Sequence, residues 1–522
     1  MQLSTEAGAG RAPAVQGELS HREIMEVLFG LLAALFTAII SSTIVSNALP
    51  TIIADLEGSQ TQYTWVVTAS LLAMTVSTPV WGKLSDLVNK KVLVQISIVL
   101  FVIGSMLAGL SRNVPELIAM RVVQGVAMGG LTANAQSIIG SIIPPRQRGR
   151  YSGYMGATMA VATVSGPLLG GLIVDTPGLG WRWTFFVCVP LAVISLVVLQ
   201  KYLRIATVRR KVNFDYFGAI FIAIAASLPL LWVTFAGDSF DWVSWQSAAY
   251  LGGTLLAGAI AVRVELRHPE PLVPLSVVRE RTTALAIVGS VAVGIAMFGG
   301  SVFIGQYFQV AGGRTPTQAG LLTIPLMLGS LVGTIVSGQL ITRYGRWKRF
   351  LVIGSVSLII GCGLLATIDH TTPEWHAMVF MAFLGIGMGM LLQNYVLAVQ
   401  NTVDVSQVGA ASATVAFFRS LGGAVGVSVL GAILASQVKG DVTSKLAALG
   451  VESSGAGGSL LDVKNLPPQV AEIVREAYGD ATGTIFMVAA IVSVLSLLAA
   501  LLIREAPLRL TVRKDADADT DA

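Results

Sequence analysis

The sequence predicts an all-α membrane protein of fourteen transmembrane helices, and three observations carry the prediction. Of 522 residues, 54% are hydrophobic and 12% are charged, the latter about half the ~25% usual in soluble domains. The apolar residues gather into runs near the ~20 residues that a helix needs to cross a bilayer. The lysines and arginines collect between alternate runs, as they do where basic loops stay on one side of a membrane. A soluble chain this apolar has too little polar surface to cover its core, and a disordered chain is far less apolar.

Residues 1–24 form a polar tail. The run at 27–49 exceeds the ~7–15 residues of a signal-peptide core, so it is expected to stay in place as span 1. Spans 2 to 6, at 63–81, 92–110, 117–140, 152–174 and 184–203, complete a six-helix bundle over 25–205. Spans 7 and 8, at 216–236 and 248–265, form a hydrophobic hairpin in a two-helix insert at 206–282. Spans 9 to 14, at 283–305, 320–342, 350–368, 377–397, 412–435 and 484–503, build a second six-helix bundle over 283–505. That bundle is expected to include an extracellular loop at 436–483, Gly- and Ser-rich at Ser453–Ser459 and amphipathic near Pro468–Tyr478. Residues 506–522 end in an acidic tail. The runs are twice the ~9–11 residues of a membrane-barrel strand and lack its alternation.

With the N-terminus inside, Lys83/Lys90/Lys91, Arg146/Arg148/Arg150, Lys201 to Lys211 and Arg343 to Arg349 fall in the cytoplasm. The other side keeps scattered basic residues such as Arg112, Arg182 and Arg314. The even span count returns the C-terminus to the cytoplasm. The expectation is a multi-pass protein of the cell membrane with both termini cytoplasmic.

The net charge of +5 therefore reports topology and not a nucleic-acid surface. Cys188 and Cys362 sit in apolar runs as buried thiols, without disulfide or metal spacing. His21, His268, His370 and His376 fall near or outside span ends, which leaves no histidine centre at depth. No G-x-x-x-x-G-K-[ST] sequence occurs, so nothing supports ATP-driven work. An enzyme would need paired carboxylates, a histidine cluster or an activated nucleophile within the spans. No catalytic residue, metal or cofactor is expected.

Two loops repeat across the chain. Gly82-Lys-Leu-Ser-Asp86-Leu-Val-Asn-Lys90-Lys91 follows span 2, and Gly338-Gln-Leu-Ile-Thr-Arg343-Tyr-Gly345-Arg346-Trp-Lys348 follows span 10. Each begins with glycine and ends in basic residues, and they lie about half the chain apart. Duplicated halves of this kind mark transporters, with a site between them near the midplane. The first loop resembles the major facilitator superfamily motif G-x-L-a-D-r-x-G-r-k, with Asn89 in place of its second glycine. Asn tolerates left-handed backbone, which lets the turn survive. Gly82 would let two helices approach closely, and Asp86 would pair with basic groups in one of two conformations.

Arg121-Val-Val-Gln124-Gly125 in span 4 is similar to the family's R-x-x-Q-G-x-G. An arginine at depth costs at least ~2.5 kcal/mol, so it needs a partner. The resemblance implies proton transfer; a structural arginine bonded to backbone carbonyls is the other reading. Gly153 to Gly171 in span 5, with Gly166, Pro167, Gly170 and Gly171, resembles the antiporter motif G-x8-G-x3-G-P-x2-G-G, with Ala162 for its second glycine. Trp181 to Pro190 is similar to W-R-W-x-F-x-x-N-x-P, with Cys188 for Asn. The 6+2+6 layout resembles the fourteen-span drug/proton antiporter branch. That resemblance implies a major facilitator fold of two pseudo-symmetric halves, a small-molecule substrate, protons as coupling ion, and a monomer in the bilayer.

One departure matters. The branch usually begins span 1 with L-D-x-T, and here Ser41 stands at the Asp. Serine carries no proton at physiological pH, and no other carboxylate lies at mid-depth in the spans. The acid-poor interior suits neutral or anionic amphiphiles. Candidate substrate contacts are Asn47, Asn134, Gln136, Gln306, Gln309, Gln393 and Asn394, for which interhelical hydrogen bonding is the equal alternative. The reading is a proton-coupled exporter of small hydrophobic or amphiphilic compounds. An importer, an uncoupled facilitator and a non-transporting receptor or scaffold are its rivals.

Overall fold

The computed structural model describes residues 21–142, 158, 161–162, 165–203, 215–236, 240–268, 278–403, 408–448 and 467–507. They are helical nearly throughout. The first bundle comprises α1 (His21–Asp55), α2 (Gln60–Leu87), α3 (Lys90–Gly109), α4 (Val114–Ile142), α5 (165–175), α6 (Trp183–Phe186) and α7 (Cys188–Tyr202). The insert is α8 (Tyr216–Phe235) and α9 (Trp245–Glu265). The second bundle comprises α10 (Arg281–Val310), α11 (Pro316–Leu322), α12 (Ile324–Tyr344), α13 (Lys348–Leu365), α14 (Glu374–Thr402), α15 (Val408–Ala448) and α16 (Pro468–Leu502). Among the described residues, 13 stretches are long and apolar enough to cross a membrane. They match every expected span except the fifth, most of which lies outside the described residues and whose end is α5.

Local chemistry sets the helix ends. Ser59 accepts from Gln62 N while Gln62 returns a bond to Ser59 N, a capping box that starts α2. Thr315 and Gln318 do the same for α11, with Pro316 at its first turn. The two repeated loops turn differently. Gly345 ends α12 at φ 69°, the left-handed cap that favours glycine. Asn89 does not take that role: at φ −56° it caps α3 by accepting from Lys91 N.

The 436–483 region is not the loop expected from the sequence. α15 runs 41 residues and α16 runs 35, about 60 and 50 Å at ~1.5 Å per residue, against a hydrocarbon layer of about 30 Å. Both therefore continue well past the bilayer. Val438, Val442 and Leu446 of α15 and Val474 and Ala477 of α16 are buried there. Lys445 Nζ meets Glu476 Oε2 at 2.8 Å. Residues 449–466 lie outside the described residues.

The insert joins the bundles through α8, which packs on α2 and α15; Trp65 and Phe235 rings meet at 6.4 Å. The apolar core divides unevenly. One cluster runs continuously through both bundles, joining Val45 to Ile53 of α1 with Val302 to Val310 of α10. The second, from Ile24 to Ile44 with Ile138 and Leu199, belongs to the first bundle alone. The halves thus share a core toward one end and separate toward the other.

Candidate functional site

The shared end is the one carrying the α1–α2 turn, opposite the basic loops. There the two bundles are laced mostly by neutral polar groups, with one carboxylate, Asp175, among them. Asn47 Nδ2 donates to Pro167 O and to Pro316 O, each at 3.0 Å. The Asn47 carbonyl accepts from Gln309 Nε2 at 2.9 Å. Gln306 Nε2 donates to Gln60 Oε1 at 2.7 Å, and that oxygen also accepts from Tyr478 OH at 3.1 Å. Tyr63 OH donates to Val302 O at 3.3 Å. Thr317 N donates to Asp175 Oδ2 at 3.0 Å. Farther in, the Thr68 and Ser428 hydroxyls bond at 3.1 Å.

Glycines bring the backbones that close. A Cβ on Gly171 would strike the Thr317 backbone, and one on Gly320 would lie 2.5 Å from Pro167 O. One on Gly431 would meet the Thr64 side chain. Gly166 and Gly170 instead seat α5 on Thr43 and Ile44 of α1.

At the basic end, each loop bonds within its own half. Lys90 Nζ donates to Ser137 O and Lys91 Nζ to Gln200 O. Lys348 N donates to Glu505 Oε1, and Lys348 Nζ to Leu501 O. A Cβ on Gly82 or Gly338 would meet nothing within 4 Å. The sequence expectation that Gly82 permits close helix approach fails in this conformation, because the halves stand apart at that end. The Asp86 side chain lies outside the described residues.

Arg121 is 2% exposed. Its Nε donates to Val66 O at 3.2 Å and its Nη1 to Gln124 Oε1 at 3.0 Å. Gln124 Nε2 in turn donates to Ser105 Oγ at 2.8 Å. The network ties α4 to α2 and α3, and Gly125 lets α4 settle on the Ser70 backbone. No carboxylate pairs with Arg121 among the described residues. Of the two roles the sequence leaves open, this geometry fits the structural one.

The seven proposed substrate contacts separate into groups. Asn47, Gln306 and Gln309 sit in the seam, with amides engaged there. Asn134 is buried, with Nδ2 at 3.5 Å from Ser97 Oγ on α3. Asn394 is buried and donates to Met390 O of its own helix at 2.6 Å. Gln136 lies outside the described side chains. Gln393 is exposed. Ser41 is wholly buried without an oxygen or nitrogen partner, beside the Cys188 thiol. Two departures from the family pattern, Ser for Asp and Cys for Asn, are therefore neighbours.

Sequence reasoning missed Gln60, Tyr63, Thr68, Thr317, Ser428 and Tyr478. Gln60 and Thr317 stand just outside the predicted spans, and Tyr478 lies in the supposed loop. Thr68 and Ser428 are small hydroxyls of a kind common in membrane helices. The reciprocal amides were the available signal, since Gln306 and Gln309 share one helix without a charge to pair with.

Outside the spans, the turn after α13 closes the same end. The Asp369 carboxylate accepts from Thr371 N and from the Thr371 and Thr372 hydroxyls. Those hydroxyl bonds hold its titration below the usual carboxylate range. Asp369 O accepts from Tyr307 OH at 2.8 Å.

A sequence model of the Major Facilitator Superfamily matches residues 31–427. An uncharacterised MFS-type transporter of Mycobacterium tuberculosis is 34% identical over 94% of this chain and 70% of its own. The multidrug transporter protein MdtP of Bacillus subtilis is 32% identical over 83% of this chain and 79% of its own. Among solved structures, a bacterial homolog of the human lysosomal transporter Spinster, inward-facing and unoccupied, shares the fold. Its TM-score is 0.62 at 16% identity, over 93% of this chain and 98% of that one.

Proposed function

The chain belongs to the Major Facilitator Superfamily, and from that premise we propose that it exports small hydrophobic or amphiphilic compounds from the cytoplasm by alternating access, coupled to protons. The observation that carries this reading is the asymmetry of the seam. The halves are bonded at one end and share no described hydrogen bond at the other, as one state of a rocking pair requires. The positive-inside rule assigns the open, basic end to the cytoplasm, with both termini on that side. In this conformation the protein then faces inward. We read residues 25–205 and 283–505 as the moving bundles and 206–282 as an insert carried between them. Multidrug relatives support export of amphiphiles.

Asn47, Gln306 and Gln309 act as the outer gate, with Gly171 and Gly320 as its contact surfaces. The loop residues Gly82, Asp86, Lys90 and Lys91 act when the inner end closes. Arg121, Gln124 and Gly125 hold α4 against α2 while the bundle moves. Protons reach no carboxylate at mid-depth, so coupling runs through peripheral groups such as Asp86 or Asp175, or through the substrate.

The test is reconstitution into liposomes with an imposed pH gradient, following a fluorescent amphiphile such as N-phenyl-1-naphthylamine. Gradient-driven accumulation that an ionophore abolishes is expected. Flux indifferent to the gradient would leave an uncoupled facilitator; no flux of any amphiphile would overturn the substrate assignment.

A further inference from the structure

Arg121 and Arg419 are both arginines within spans, and they differ. Arg121 has its guanidinium engaged and is shut away. Arg419 lies about 16 Å along α15 from Val408, at the ~1.5 Å rise of a helix. It is only partly buried and makes no hydrogen bond, ion pair or ring contact. The helices packed on α15 are α2, α4, α8, α10, α14 and α16. None of them supplies a counter-charge at that depth. Residues 60–85, 117–142, 216–235, 281–310, 375–402 and 483–502 contain no Asp or Glu.

A second polar group stands at the same position. Gln400 Nε2 donates to Ser412 Oγ at 2.9 Å, which fixes the facing sides of α14 and α15 near the basic end. The two helices are antiparallel. Moving about 7 residues, two turns at ~3.6 per turn, from that bond leads to Gln393 on one helix and Arg419 on the other. Both therefore keep the faces that meet in the Gln400–Ser412 bond and share one depth. Gln393 is exposed and makes no hydrogen bond.

Polar side chains at depth face protein or water rather than lipid. α16 and α8 both pack on α15. Toward the basic end, Thr68–Ser428 is the last inter-half hydrogen bond among the described residues.

We propose that Arg419 and Gln393 form an anion-binding site on the wall of the central chamber, and that the substrates include amphiphiles bearing a carboxylate or a similar oxyanion. The guanidinium fork accepts both carboxylate oxygens, and the Gln393 amide adds a third donor. With no acidic side chain at this depth, the ligand supplies the counter-charge. This inference rests on the transporter reading above and names its substrate class.

The experiment uses two probes that differ only in charge, dansyl-11-aminoundecanoic acid and its primary amide. Each is titrated by fluorescence into full-length protein in nanodiscs, with empty nanodiscs subtracted. The wild type is expected to bind the acid at least about tenfold more tightly than the amide, as a charge-assisted bidentate contact gives. Arg419→Gln should bring the acid to the level of the amide while leaving the amide within about twofold. Arg419→Lys should keep most of the preference, and Gln393→Leu should reduce it by less than Arg419→Gln does. Equal wild-type affinity for the two probes overturns the proposal. So does an Arg419→Gln loss shared equally by both, which marks a structural arginine. Should Arg419→Gln not fold, the wild-type ratio and Arg419→Lys decide. Binding of the amide alone sinks this site but leaves amphiphile export standing; binding of neither probe sinks both.

Discussion

The two ends of the interface between the bundles are built from different chemistry. At the closed end the contacts are chiefly amides, hydroxyls, backbone carbonyls and glycines, with the single carboxylate of Asp175 accepting from Thr317 N. At the basic end the conspicuous groups are charged, and Lys90, Lys91 and Lys348 bond within their own halves. Neutral hydrogen bonds contribute only about 0.5–1.5 kcal/mol net each, because water replaces them when they open. A seam made of them can be specific in register and still reversible. A seam of buried ion pairs would strand charges costing several kcal/mol each when it parted. The lesson is that the closed end is held by shape and many weak bonds, so backbone clearance should matter more than any one side chain.

The largest effect is therefore expected from filling that clearance. Gly320→Ala sets a Cβ against Pro167 O, and Gly171→Ala sets one against the Thr317 backbone. Neither backbone neighbour can rotate away. Each substitution should hold the closed end open and cut transport by about tenfold or more, the ~1.4 kcal/mol equivalent of a modest clash. Gly363→Ala on α13, which meets nothing, is the control and should transport normally. Opening is read by labelling Ser428→Cys from outside with an impermeant maleimide; native Cys188 and Cys362 are buried and free. Unchanged labelling in the Gly320 and Gly171 variants would show that closure does not depend on these contacts.

Next comes Asn47→Ala. It removes the donor shared by Pro167 O and Pro316 O, two bonds worth about 0.5–1.5 kcal/mol each. Labelling of Ser428→Cys should rise without loss of protein. A shift no larger than that of a nearby apolar substitution would place Asn47 outside the gate. The Gln60–Gln306 pair should matter less. A double-mutant cycle with leucine at each position should give a coupling of about 0.5–1.5 kcal/mol, since one partner alone leaves the other unsatisfied. Strict additivity would mean that the amides do not hold each other in solution.

Much of this architecture was legible in the residues, and the exceptions have physical causes. Span positions followed from apolar length, since backbone in lipid must bond to itself as helix. The 436–483 region misled because helix and loop differ there only in whether a partner helix covers the apolar face. Val442 of α15 and Val474 of α16 are buried in one cluster, across a distance the sequence does not reveal. Asn47, Gln306 and Gln309 were visible as polar groups at depth. Whether they face a ligand or the other bundle depends on the conformation, which composition does not encode. Ser41 and Cys188 show the reverse case. Two separate departures from a motif become one fact once α1 and α7 are packed together.

The smallest expected effect concerns the Asp369 turn, which sharpens the contrast because it places a titratable carboxylate beside a closure built chiefly of neutral groups. Its folded titration lies below the usual range because the Thr371 and Thr372 hydroxyls donate to it. A carboxylate depressed on folding stabilises above its unfolded value, about 3.9, and loses that contribution as pH falls through the lower folded value. The group is half-exposed, so screening limits the contribution to about a few tenths of a kcal/mol. Asp369→Asn should lower the thermal midpoint slightly at pH 7, and the gap from wild type should narrow as the pH falls below about 3.9. Because Asp369 O also receives Tyr307 OH, Tyr307→Phe serves as a pH-independent comparison that removes the neighbouring bond and leaves the carboxylate. If the Asp369→Asn gap stays constant with pH, the turn stabilises through its geometry alone and not through its charge.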